Sequence, residues 1–147
     1  MERNTTDLFM QIRALGAAME AFERAASRAL DINRSDLQAL NALEHGPLSH
    51  GALAEHLGLT AGSVTTLVDR LERAGYVARQ PDPDDRRRSE VALTPPTYEA
   101  FARVYRPCGQ AVEQRLHDLR ENQRQAAAAA LRLAAEAIND VATQLTA

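Results

Sequence analysis

The sequence predicts a mainly α-helical fold with one small β-hairpin, and three observations carry that expectation. Apolar residues recur in steps of three and four along two long terminal stretches, the spacing of a single helix face. The middle of the chain holds shorter apolar-periodic runs, opened by Asn, Ser or Thr and closed by glycine, the punctuation of short helices. Between Tyr76 and Leu93 that period gives way to two strand-like runs around a Pro-Asp-Pro turn.

The elements follow in order. Residues 5–30 form the first helix, because Leu8, Ile12, Leu15, Met19, Phe22 and Ala26 lie on one stripe, with Thr5 or Thr6 as the cap. A second helix is predicted over 34–45, with Asn33 as cap, Asp36 in the first turn and Leu37, Leu40 and Leu43 buried; Gly46-Pro47 ends it. Ser49 caps a short helix through Leu57, stopped by Gly58, and Thr60 caps another to Ala74, stopped by Gly75. Tyr76 to Gln80 is a strand, Pro81 to Arg87 a turn, and Arg88 to Leu93 the return strand, with Val91 and Leu93 on one side. Thr94-Pro95-Pro96 opens a long helix, since proline is tolerated where helical amides lack partners. That helix carries Tyr98, Phe101, Tyr105, Val112, Leu116 and Leu119, with Tyr98 and Tyr105 read as core, and Pro107 inside it predicts a kink. The last helix covers 121–145, with a stripe at Ala127, Leu131, Ala134, Ile138, Val141 and Leu145.

Three regions result: an N-terminal helix over 1–32, a compact middle over 33–94, and C-terminal helices over 95–147. The middle can close a small core of its own. The flanking helices cannot easily fold back on so small a body, so their apolar stripes need a partner, and a second copy of the chain is the simplest one. The expected assembly is a homodimer through the terminal helices.

Composition narrows the function classes. The net charge is −3, so any surface for a polyanion must be local. All 17 basic residues are arginine. The absence of lysine excludes lysine-dependent phosphate loops, Schiff-base chemistry and a lysine general base. Cys108 stands alone, which excludes an intrachain disulfide framework and fits a reducing compartment. The polar start MERNTTDLF does not read as a signal peptide, and no apolar run has the length of a membrane span, so no membrane association is expected.

The stretch His50 to Leu71 carries the functional signal. Ala54 permits a close helix crossing, Gly58 a tight turn, and Leu59 plugs that turn, while Val64 and Leu67 hold the following helix against the preceding one. This is a helix-turn-helix pattern, in which the second helix enters the DNA major groove. Its outward face is Ser63, Thr65, Thr66, Asp69, Arg70 and Arg73, with Thr60 at its start. Short hydroxyls there suit close approach to bases and phosphates. The hairpin follows directly, and a helix-turn-helix with an appended hairpin is a winged helix. Its tip, Asp84-Asp85-Arg86-Arg87-Arg88, faces flanking phosphates and the minor groove, where narrow geometry favours arginine. Asp85 is expected to accept from Arg87 and hold it in one orientation. The rival expectation is a winged-helix protein-interaction module without DNA binding.

Together LAEHLGLTAGSVTTLVDRLERAGYVAR (Leu53 to Arg79) and PDPDDRRRSEVALT (Pro81 to Thr94) resemble the MarR family of multiple antibiotic resistance regulators. Asp69-Arg70-Leu71, the Asp-x-Arg of Asp85 to Arg87 and the ending Leu93-Thr94 carry the resemblance, and the order of elements extends it over the whole chain. It implies a homodimeric repressor or activator, a repressor being the expectation here, in a bacterial or archaeal cytoplasm. It implies dimerisation through the first, fifth and sixth helices, a palindromic double-stranded DNA operator, and release by a small aromatic effector. Carried over, the wing arginine is Arg87, oriented by Asp85, and the recognition positions are Ser63, Thr65, Thr66 and Arg70. One position departs: family members usually place glycine three residues after the Leu-Thr, and this chain has Thr97.

No catalytic, metal or cofactor site is expected. His45, His50, His56 and His117 include no i, i+4 pair, and Glu44-His45 has no visible second half of a metal site. Cys108 reads as an inert thiol. No nucleophile–base pair is recognisable.

Overall fold

A computed structural model of the chain describes residues 2–83, 85 and 88–146, and the side chains of 7–83, 85 and 88–145. The elements run α1 (Glu2–Ala29), α2 (Arg34–Leu43), β1 (Leu48–Ser49), α3 (His50–Leu57), α4 (Ala61–Arg73), β2 (Val77–Pro81), β3 (Ser89–Leu93), α5 (Pro95–Leu116) and α6 (Glu121–Thr146). The chain divides into two compact units. One comprises residues 1–17 and 107–147, the other residues 18–106.

Local chemistry sets the element ends in the 18–106 unit. The side chain of Asn33 accepts from the amide of Asp36 at 2.9 Å, and that of Ser49 from the amide of Ala52 at 3.1 Å. Both caps satisfy amides that the first helical turn leaves without partners. Gly58 closes α3 at φ 62°. Its amide donates to the Glu55 carbonyl at 3.2 Å and that of Leu59 to the Ala54 carbonyl at 3.0 Å, the paired bonds of a left-handed helix stop. Gly75, at φ 80°, repeats the device after α4: its amide bonds Glu72 and that of Tyr76 bonds Leu71, both at 2.9 Å. Leu59 does not plug the turn as expected. It is 38% exposed, because its amide rather than its side chain closes the stop.

The core of this unit gathers Leu37, Leu40 and Leu43 of α2, Leu53 of α3, Val64, Val68 and Leu71 of α4, and Val77, Val91 and Leu93 of the sheet. Ala26 of α1 and Phe101 of α5 complete it. Ala54 is half-buried against the same core, in keeping with the small residue a close crossing needs. The sheet is antiparallel, in the order β1-β3-β2. Val77 pairs with Leu93 and Arg79 with Val91, and Leu48 of β1 pairs with Val91 from the other side. The two-residue β1 is absent from the sequence expectation, because so short a run has no period to read. Pro81, which has no amide to donate, falls on the outer strand β2.

Two further corrections concern the long helices. Thr5 and Thr6 lie inside α1, which starts at Glu2, so neither is its cap. Tyr98 is 44% exposed rather than core. Tyr105 is half-buried, with its ring edge-on to Phe22 at 5.1 Å and stacked on Phe101 at 5.3 Å, and its hydroxyl donates to Asn41 Oδ1 at 2.9 Å. Helix α5 continues through Pro107, and the boundary between the two units falls there.

Thr97 explains its own departure from glycine. It is 2% exposed, yet its hydroxyl donates to the Tyr76 carbonyl at 2.8 Å and meets the Thr94 hydroxyl at 2.9 Å. The buried oxygen is thus satisfied, and the start of α5 is tied to the chain just before β2.

In the other unit the helices stay open. Leu8, Phe9 and Met10 of α1, Val112 and Leu116 of α5, and Leu131, Leu133, Ile138 and Val141 of α6 are all exposed. Leu8, Phe9, Ile12, Gly16, Ala134, Ile138 and Val141 line a largely apolar groove of about 820 Å³. Among the described residues no helix is long and apolar enough to cross a membrane.

Candidate nucleic-acid interface

Helix α4 presents two chemically different sides. Val64, Leu67, Val68 and Leu71 are buried, while Ser63, Thr65, Thr66, Arg70 and Arg73 are exposed. Thr60 caps the helix: its hydroxyl accepts from the Ser63 amide at 3.3 Å and meets the Ser63 hydroxyl at 2.9 Å. Thr65 and Thr66 donate their protons to the carbonyls of Ala61 and Gly62, at 3.0 and 3.1 Å. Each threonine oxygen therefore meets a partner as an acceptor. That arrangement matches the amino groups of adenine and cytosine in the major groove better than a phosphate, which has no proton to give.

The charged groups on this helix are held from both flanks. Arg70 donates to Asp36 Oδ1 of α2, and Asp36 is only 5% exposed. From the hairpin side, Arg79 of β2 reaches Asp69 at 2.5 Å and also pairs with Glu72, while its amide meets Glu72 Oε1 at 3.3 Å. The hydrogen bond to Asp36 raises Arg70 above the usual arginine value, and that to Asp69 does the same for Arg79. Both therefore stay cationic wherever the protein is folded. Arg73 bonds the Asp69 carbonyl through Nε at 3.0 Å and is exposed.

Sequence reasoning placed Arg70 on the outward face but missed its partner Asp36, 34 positions earlier. It also missed Arg79 and Glu72 as the clamp between reading helix and hairpin. Neither clamp follows a helical or strand period, so no spacing rule reveals it.

At the hairpin tip the chain is turned by backbone bonds from Asp82 to the Arg88 carbonyl at 3.1 Å and from Arg88 to the Asp85 carbonyl at 2.8 Å. The Asp85 carboxylate lies 3.4 Å from Arg88 Nε. Arg86 and Arg87 lie outside the described residues, and with them the expected contact between Asp85 and Arg87. Among the described residues no group of His, Cys, Asp and Glu is arranged to hold a metal ion. Cys108 is half-buried.

The family model described as "MarR family" matches residues 30–88, which span α2, the helix pair and the hairpin. The sequence is 42% identical over 108 residues to YcgE of Bacillus subtilis, an uncharacterized HTH-type transcriptional regulator, covering 73% of this chain and 68% of that one. The chain belongs to the MarR family. The MarR family is one of DNA-binding transcriptional regulators and not of enzymes, and this chain is a DNA-binding regulator of that kind. Solved structures agree in fold. A MarR family protein from Bacillus stearothermophilus superposes with a TM-score of 0.72 at 24% identity, over 95% of this chain and 98% of that one. A mutant MepR of S. aureus bound to an oligodeoxyribonucleotide superposes with a TM-score of 0.58 at 20% identity, over 89% and 97%.

Proposed function

We propose that the chain is a homodimeric repressor in the cytoplasm. It reads a palindromic operator through two copies of α4 and releases it when a small aromatic effector binds. The outward face of α4 carries this reading: a capped helix start followed by exposed Ser63, Thr65, Thr66, Arg70 and Arg73, with Arg86, Arg87 and Arg88 in the sequence that joins the two hairpin strands. The helix start favours phosphate, the side chains favour base edges, and the wing arginines favour a narrow minor groove.

The dimer is supported by the exposed apolar residues of α1, α5 and α6, among them Leu8, Phe9, Val112, Leu131 and Ile138, since clustered exposed apolar side chains mark association surfaces. Two reading helices then meet half-sites about 34 Å apart, one turn of DNA. An effector acts by binding more tightly to a dimer geometry whose reading helices miss that spacing.

Arg87→Ala tests the wing. Operator affinity, titrated at fixed salt on a genomic fragment retained by the purified protein, falls by about ten- to a hundredfold, as expected for a lost specific contact. Gel filtration still shows the dimer. Unchanged affinity removes Arg87 from the interface.

A further inference from the structure

The Arg70–Asp36 pair joins the outward face of α4 to a buried carboxylate on a different helix, α2. Asp36 sits in the first turn of α2, whose Leu37, Leu40 and Leu43 are fully buried, so its carboxylate is anchored to the rigid core. The Asp36 side chain is 8% exposed and that of Arg70 is 45% exposed. One end of the pair is thus inside the protein and the other at the surface. A buried carboxylate is costly unless paired, so Asp36 holds a cation firmly. Arginine has five N–H donors in a rigid fork, and the bond to Oδ1 leaves others to face outward. Arg70 also lies three and seven residues along from Leu67 and Ser63, and four from Thr66, so Ser63, Thr66 and Arg70 share one stripe of α4.

We propose that Asp36 is the positioning residue of the DNA-reading face. Its buried carboxylate holds the Arg70 guanidinium at one point above α4, so that Arg70 meets one fixed base edge instead of sweeping the groove. The inference rests on the regulatory reading given above. It assigns selectivity to a residue that never touches DNA, and to a negative charge beside a polyanion.

That charge gives the test its sign. If Asp36 acted only through long-range electrostatics, neutralising it would tighten binding to every duplex. If it positions Arg70, neutralising it weakens binding to the preferred duplex and leaves or raises affinity for others. The probe pair is a duplex selected from a random pool by the purified wild-type protein, and a scrambled duplex of the same length. With Asp36→Asn, affinity for the selected duplex falls by about tenfold, on the order of one lost specific contact, while that for the scrambled duplex does not fall. Arg70→Gln gives a similar loss, and the double substitution costs no more than the larger single one. A pair that merely stabilised the fold would lower the melting temperature and weaken both duplexes alike. Should Asp36→Asn fail to fold, Asp36→Glu decides: it keeps the charge but moves the carboxylate, so the ratio of selected to scrambled affinity falls if position matters and is unchanged if it does not. Tighter or unchanged binding of the selected duplex by Asp36→Asn, additive effects of the two substitutions, or parallel losses on both duplexes overturn the inference. A wild-type protein that selects no duplex overturns the regulatory reading itself, and this inference with it.

Discussion

Residues 18–106 and the terminal stretches 1–17 and 107–147 use the same apolar residue types to opposite ends. In the first region Leu40, Leu43 and Leu53 are fully buried; in the second Leu8 is 55% exposed, Leu131 50% and Leu133 62%. The difference is one of element length. Apart from the ends of the two long helices, the elements of the first region run for at most 13 residues before a cap or a glycine turns the chain. Apolar faces from several directions thus converge on a single core. In the second region, long helices carry long stripes that cannot close on themselves, and their apolar residues stay available for association. Residues 18–106 therefore close a core of their own, while the terminal helices leave apolar surface exposed.

The comparison breaks most severely if the open region is charged. Leu131→Glu with Ile138→Glu places unpaired carboxylates on the apolar stripe of α6, and sedimentation equilibrium should show a monomer. Operator affinity should fall by more than about a hundredfold, since an uncompensated charge in an interface costs several kcal/mol. A dimeric mass for this variant would mean that α6 is not the association surface.

A core substitution probes the closed region. Leu40→Ala removes a fully buried side chain and should lower unfolding stability by about 2–5 kcal/mol in urea titrations. At temperatures where the variant is folded, its mass should match that of the wild type. A variant that instead dissociated while folded would show that the two regions do not divide their roles in this way.

The smallest effect belongs to a seam within the closed region. Thr97→Val keeps the shape but removes the hydroxyl that bonds the Tyr76 carbonyl and the Thr94 hydroxyl. The loss should be about 1–3 kcal/mol. The Tyr76 carbonyl still receives the Thr94 amide at 3.0 Å, which favours the lower end. No measurable change would show that shape alone, and not the hydrogen bonds, suits threonine to this position.

Much of the fold was legible before any coordinates. Asn33, Ser49 and Thr60 cap the helices they were expected to cap, and Gly58 and Gly75 end them at positive φ. The alternation of Val91 and Leu93 correctly marked the buried side of β3. The outward face of α4 was also read correctly as exposed at Ser63, Thr65, Thr66, Arg70 and Arg73. Less legible were the residues that hold this face in place: Asp36 against Arg70, and Arg79 against Asp69 and Glu72. Tyr98 and Leu59 were misjudged because an apolar or aromatic residue on a stripe need not meet a neighbour.

By itself, the sequence determined the caps of α2, α3 and α4, the glycine stops of α3 and α4, and which side of each is apolar. Caps, glycine stops and periodic faces are set by residues three or four apart, so they are written locally. Tertiary structure alone decided which charge meets which, which aromatic is covered, and that Leu48 adds a third strand beside Val91. These depend on residues 7 to 64 positions apart, on different elements, arriving at the same place, which follows from how the elements pack and from no local period.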